Sequence, residues 1–101
     1  MNIQITTRHE SHISEETRTF IEAEIENLIK FHDKITSAHV ICDREDHKTG
    51  TEDTVEIVLS INGGKISAKA TDENLGKALD EAVDKATVQL KKRHDKVKSH
   101  K

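Results

Sequence analysis

The sequence predicts an α+β domain in the order β-α-β-β-β-α, a four-stranded sheet with two helices packed on one face. Three observations lead there. Two segments repeat apolar residues at spacings of three and four, the period of a helix that buries one stripe. Shorter segments alternate apolar and polar residues, the period of a half-buried strand. Asn62-Gly63-Gly64 separates two of these alternating runs, and Asn and Gly tolerate the positive φ that a tight hairpin demands.

The elements follow in chain order. Residues 2–7 put Ile3 and Ile5 on one face and Gln4 and Thr6 on the other, a short strand. Arg8, His9, Glu10, Ser11 and His12 form a polar connection. Ser14 is a plausible N-cap, Glu15 and Glu16 suit the positive end of a helix dipole, and Ile13 is placed to staple onto the first turn. The first helix then carries Phe20, Ile21, Ile25, Leu28 and Ile29 in one stripe, extended by Phe31 or His32, and ends within 31–33. Residues 35–43 are β-branched and small, a second strand. Residues 44–53 are charged, contain Gly50 and have no apolar residue, so a flexible loop is expected. Residues 54–61 point Val55, Ile57, Leu59 and Ile61 inward, and residues 65–70 return with Ile66, Ala68 and Ala70 inward. The last helix is expected over 72–101, capped by Thr71 or Asp72, with Leu75, Leu79, Ala82, Val83, Ala86 and Leu90 as its stripe. Burying both stripes on one sheet face gives a single core, and a first strand joined through a helix is expected to run parallel to its neighbour.

At 101 residues the chain is one domain. Its core must be small and aliphatic, because Phe20 and Phe31 are the only aromatics. Charged residues make up 35 %, but the apolar residues are periodic, which separates this chain from a disordered one. The start shows no charged-then-apolar leader, and no apolar run approaches the ~20 residues of a membrane span. Cys42 is alone, so no internal disulfide can form, in keeping with a reducing cytoplasm; it is expected to be a buried strand residue.

Nothing in the sequence assembles a reaction. It has no phosphate-cradling glycine loop, nucleophile elbow or paired-histidine zinc helix. Seven histidines do not fall at zinc-site spacing, and Asp80, Glu81 and Asp84 read as solvated helix surface. No enzyme activity, cofactor, metal or small-molecule substrate is expected. What stands out is charge segregation: residues 85–101 carry a net +6 in a chain that is −3 overall, leaving −9 on the rest. A lysine-rich terminal helix can serve solubility alone. The separation of the charges, with Lys65, Lys69 and Arg8 adding to the positive field, points instead to phosphates, and to structured RNA read by shape and backbone. A protein-interaction adaptor using the acidic first helix, Glu15 to Glu26, is the alternative of a different class.

Several stretches resemble a known family, the ribosome hibernation-promoting and ribosome-associated inhibitor proteins once called sigma-54 modulation proteins. They are Asn2-Ile3-Gln4-Ile5-Thr6 followed by Arg8-His9; Phe31-His32-Asp33-Lys34-Ile35 followed by Ser37-Ala38-His39-Val40; and Ala78-Leu79-Asp80, Asp84-Lys85, Gln89-Leu90 and Lys92. The resemblance covers almost the whole chain and implies a β-α-β-β-β-α fold similar to a double-stranded-RNA-binding domain. It implies a cytoplasmic protein in the decoding channel of the small ribosomal subunit, overlapping the messenger and the A- and P-site tRNA positions and silencing idle ribosomes in stationary phase or stress. Residues 1–98 would be the ribosome-binding domain and 99–101 a basic end. Carried over by position, the rRNA-binding candidates are Arg8, Lys85, Gln89 and Lys92, with Lys91, Arg93 and Lys96 as neighbours in the same segment. A partner factor for ribosome pairing is compatible with the family, and a short form is expected not to pair ribosomes through its own tail. The chain departs from the family at Gly76, where an aromatic is usual, at Val88, where a basic residue is usual, and at His94, where Lys is frequent.

Overall fold

The structure, a computed structural model, describes residues 2–8 and 13–99, with side-chain detail over 3–8 and 13–92. The expected connection at residues 9–12 and the terminal His100 and Lys101 lie outside it. Six elements follow in order: β1 (Asn2–Arg8), α1 (Glu15–Phe31), β2 (Ile35–His47), β3 (Gly50–Ile61), β4 (Gly64–Asp72) and α2 (Leu75–Ser99). The sheet order is β1-β2-β3-β4, with β1 parallel to β2 and the other pairs antiparallel.

Alternation decides which face is covered. Val55, Ile57, Leu59 and Ile61 on β3 and Ile66, Ala68 and Ala70 on β4 are buried, joined by Ile21, Ile25, Leu28 and Ile29 of α1 and Ala78, Leu79, Ala82, Ala86 and Leu90 of α2. Fully burying an Ile or Leu side chain is worth about 1.5–3 kcal/mol, so these interlocked stripes hold the helices to the sheet. On β2 the buried set is Ile35, then Ala38, Val40 and Cys42, which breaks the two-residue period. A register shift between Ile35 and Ser37 explains it: one extra residue, Thr36, resets the alternation, and its Oγ1 donates to the Ser60 carbonyl at 3.1 Å.

The charged run at 44–53 is no flexible loop. β2 and β3 continue through it as a ladder to His47 opposite Gly50, leaving a two-residue turn at Lys48-Thr49. Hydrophobic alternation could not reveal this, because the part of the ladder nearest the turn has water on both faces and keeps polar side chains on both, while at its base the buried residue is the charged Asp53. It is fastened by side chains. Arg44 Nε donates to Asp53 Oδ1 at 3.0 Å, and His47 Nε2 lies 3.3 Å from Glu52 Oε1. Gly50, at φ +143°, supplies a backbone conformation that L side chains rarely adopt. The second hairpin is as expected, with Asn62-Gly63 between Ile61 and Gly64 and Gly63 at φ +91°.

The helix starts also follow local chemistry. Ser14 caps α1, its Oγ accepting from the Thr17 amide at 3.1 Å. α2 begins three residues later than expected: Asn74, not Thr71 or Asp72, is the cap, its Oδ1 accepting from the Lys77 amide at 3.2 Å. Asp72 holds the cap in place, its carboxylate accepting from the Asn74 amide at 3.1 Å. Thr71 and Asp72 belong to β4, because their ladder with Thr54 and Asp53 outcompetes an earlier helix start.

Candidate nucleic-acid interface

The topology gives the molecule two electrically different ends. β1, β2 and β4 run one way, β3 and both helices the other, so α1 and α2 start at the same end and run in parallel. A cleft of about 490 Å³ marks the shared start, with Ile13, Thr17, Phe20 and Ile21 from the α1 side and Leu75, Gly76 and Leu79 from α2. That end also carries the β2–β3 hairpin and holds more acids than bases: Glu15, Glu16, Glu45, Glu52, Asp72 and Glu73 lie there, with Arg44, Lys48 and Lys77 among them. The opposite end gathers the end of α1, the start of β2, the β3–β4 turn and the far half of α2. Two bonds fix this: the Asn62 amide donates to the Lys34 carbonyl at 3.3 Å, and Gln89 Nε2 to the Ser67 carbonyl at 2.8 Å. Lys30, Lys34, Lys65, Lys91 and Lys92 are all exposed there, with Asp33 among them.

The candidate residues divide accordingly. Lys85, Gln89 and Lys92 follow one another at helical spacings on α2, and Lys91 is their neighbour; all four are exposed. Two of them also act inside the fold. Lys85 Nζ donates to the Lys69 carbonyl at 2.9 Å, as Gln89 does to Ser67. β4 is an edge strand, and these side chains cover carbonyls that would otherwise stand open to another strand. The sequence reading missed this role, since helical spacing does not show which strand lies below. Arg93 and Lys96 extend the same helix, their side chains beyond those described. Arg8 stands apart: it pairs in register with Asp43, toward the hairpin end of the sheet and away from Lys92.

Among the departures, Val88 is 50 % exposed within this basic stretch. Gly76 lines the acidic-end cleft, and a Cβ there would meet Asn74 Oδ1, the α2 cap, at 3.1 Å. The side chain of His94 lies outside the described residues.

Cys42 is fully buried, and burial pushes its thiol up, with Asp53 adding to the rise and Arg18 opposing it, so it is held as a neutral thiol. Glu45, His47 and Glu52 bring one ligand atom each within 4.8 Å on the β2–β3 hairpin, where His47 Nε2 lies 3.7 Å from Glu45 Oε2 and 3.3 Å from Glu52 Oε1. The uncovered sheet face is tied by Thr6 Oγ1 to His39 Nε2 at 2.7 Å and by Ser67 Oγ donating to Glu56 Oε2 at 3.2 Å. Asp53, 3 % exposed, is the buried carboxylate among the described residues, and its pairing raises the Arg44 guanidinium further.

Known proteins share both sequence and shape. The ribosome hibernation promoting factor of Escherichia coli K12 is 34 % identical over 88 residues, covering 87 % of this chain and 88 % of that one. The Klebsiella oxytoca protein of the same name is 31 % identical over 94 residues. Among solved structures, a ribosomal subunit interface protein from Coxiella burnetii superposes with a TM-score of 0.81 at 25 % identity, covering 94 % of this chain and 99 % of that one. The N-terminal domain of Thermus thermophilus Protein Y gives 0.75, covering 91 % and 98 %. Residues 3–98, nearly the whole chain, match the profile of one family, and the chain therefore belongs to the Sigma 54 modulation protein / S30EA ribosomal protein family.

Proposed function

We propose that this protein is a cytoplasmic ribosome hibernation factor that binds rRNA of the small subunit through its basic end. It silences translation sterically, filling the decoding channel where messenger and the A- and P-site tRNAs would sit. The observation that carries the reading is the polarised charge: parallel helices place Lys30, Lys34, Lys65, Lys91 and Lys92 at one end and the acidic hairpin at the other. A molecule charged in this way approaches a phosphate-lined channel basic end first, with the acidic end turned away from the rRNA. The family relationship supports the same reading, since hibernation factors cover nearly the same length at 30–34 % identity. Lys85, Lys91 and Lys92 would meet phosphates, with Arg93 and Lys96 continuing along α2; Arg8 would make a separate contact from the other end of the sheet. No chemical step is involved.

Sedimentation with purified small subunits across a salt series tests this. Saturable binding should be displaced by tRNA in the A and P sites, and log affinity should fall linearly with log salt, by about 0.7–0.9 per phosphate contact. Reversing Lys91 and Lys92 to Glu should abolish association while the far-UV circular dichroism stays that of the wild type. Equal affinity for unrelated duplex RNA would replace this reading with a general structured-RNA binder.

A further inference from the structure

Both aromatic residues of this chain lie outside its core. The buried cluster is entirely aliphatic apart from Cys42, while Phe20 is 43 % exposed and Phe31 80 %. Phe20 has a local explanation, since it lines the cleft between the helix starts. Phe31 has none among the described residues. The helical stripe could have taken it inward, but the chain leaves α1 at His32, whose amide donates to the Ile29 carbonyl at 3.2 Å, and the ring stays in water. Its surroundings are distinctive. Phe31 and Lys91 each lie sixteen residues past the first residue of parallel helices that start at one end, so each is about 24 Å along. Lys30 and Lys34 flank Phe31 in sequence, and the Asn62–Lys34 bond ties this corner to the turn that precedes Lys65. An exposed ring amid phosphate-seeking cations is the combination by which proteins hold single-stranded or splayed-out nucleotides: cations track the backbone and the ring takes a base face.

We infer that Phe31 is a stacking platform for one unpaired rRNA base, with Lys30, Lys34 and Lys91 holding the phosphates beside it. This deepens the ribosome reading and rests on it. The partner is an unstacked base rather than a protein pocket, because the cations around the ring complement phosphate, and any base offers a π-face.

Affinity and a fluorescent reporter together test the assignment, using the full chain and purified small subunits. Phe31→Ala should weaken binding by roughly five- to 150-fold, the equivalent of one base–aromatic stack, with the wild-type salt slope because no charge is lost. Phe31→Tyr and Phe31→Trp should restore binding. The chain has no tryptophan, so F31W provides a single reporter whose emission should be quenched when subunits bind. F20W, at the other end of α1, should not respond. Wild-type affinity in the Phe31→Ala variant overturns the inference while leaving the ribosome reading intact. Weakened binding without quenching of F31W also overturns it, placing the ring against ribosomal protein. Failure of the wild type to bind subunits removes both.

Discussion

Removing single side chains from the exposed face of α2 should separate fold from function, because Lys85, Gln89 and Lys92 make different contacts there. Lys85 Nζ donates to the Lys69 carbonyl at 2.9 Å, and Gln89 Nε2 to the Ser67 carbonyl at 2.8 Å. A typical intramolecular hydrogen bond contributes about 0.5–1.5 kcal/mol net, and these are solvent-exposed, so each belongs at the low end of that range. With a urea m-value of about 1–1.5 kcal/mol/M for a small domain, Gln89→Ala should lower the unfolding midpoint by roughly 0.5 M. An ammonium has three donors, so Lys85 can hold the carbonyl and a phosphate together. Lys85→Ala should therefore lower the midpoint by a similar amount and also flatten the salt dependence of subunit binding by about 0.7–0.9, one phosphate contact. Lys92→Ala should flatten the salt dependence alike and leave the midpoint in place. Urea unfolding followed by circular dichroism, paired with the sedimentation series, reads both quantities. The reasoning fails if Gln89→Ala changes the salt slope, or if Lys85→Ala changes one quantity and not the other. Losing both edge covers, in a Lys85→Ala/Gln89→Ala variant, should also raise concentration-dependent association through β4.

Two further outcomes concern the core. Arg44→Ala leaves the buried Asp53 carboxylate without its 3.0 Å partner and should cost about 1–3 kcal/mol; Arg44 is itself 41 % exposed, which keeps the figure below that of a fully buried pair, and urea unfolding measures it. Because burial raises the Cys42 thiol, the folded state keeps its proton where an unfolded thiol, near pH ~8.5, has lost it. The resulting stabilisation is fully present below that pH and is lost as pH rises toward the folded value, so wild-type stability should fall between pH 8 and 10 relative to Cys42→Ala.

Local periodicity and turn chemistry set the element types, the hairpin at Asn62-Gly63 and the Ser14 cap, because these depend on neighbours within a few residues. The same information marked α2 as the basic element and carried the family resemblance. Where competing local options existed, the fold chose between them. Thr71 and Asp72 were acceptable helix caps, but partners on β3 claimed them for β4 and left the cap to Asn74. Residues 44–53 had no apolar signal, yet cross-strand partners made them a ladder. The interface divides along the same line. That Lys85, Gln89, Lys91 and Lys92 share a helix was legible from spacing alone. Only the parallel course of the two helices decided that Lys30, Lys34 and Lys65 join them at one end, that Arg8 does not, and that Phe31 stands exposed among the cations. Charge and periodicity are properties of a chain segment, whereas the meeting of segments distant in sequence is fixed by strand order and by which faces can be buried together.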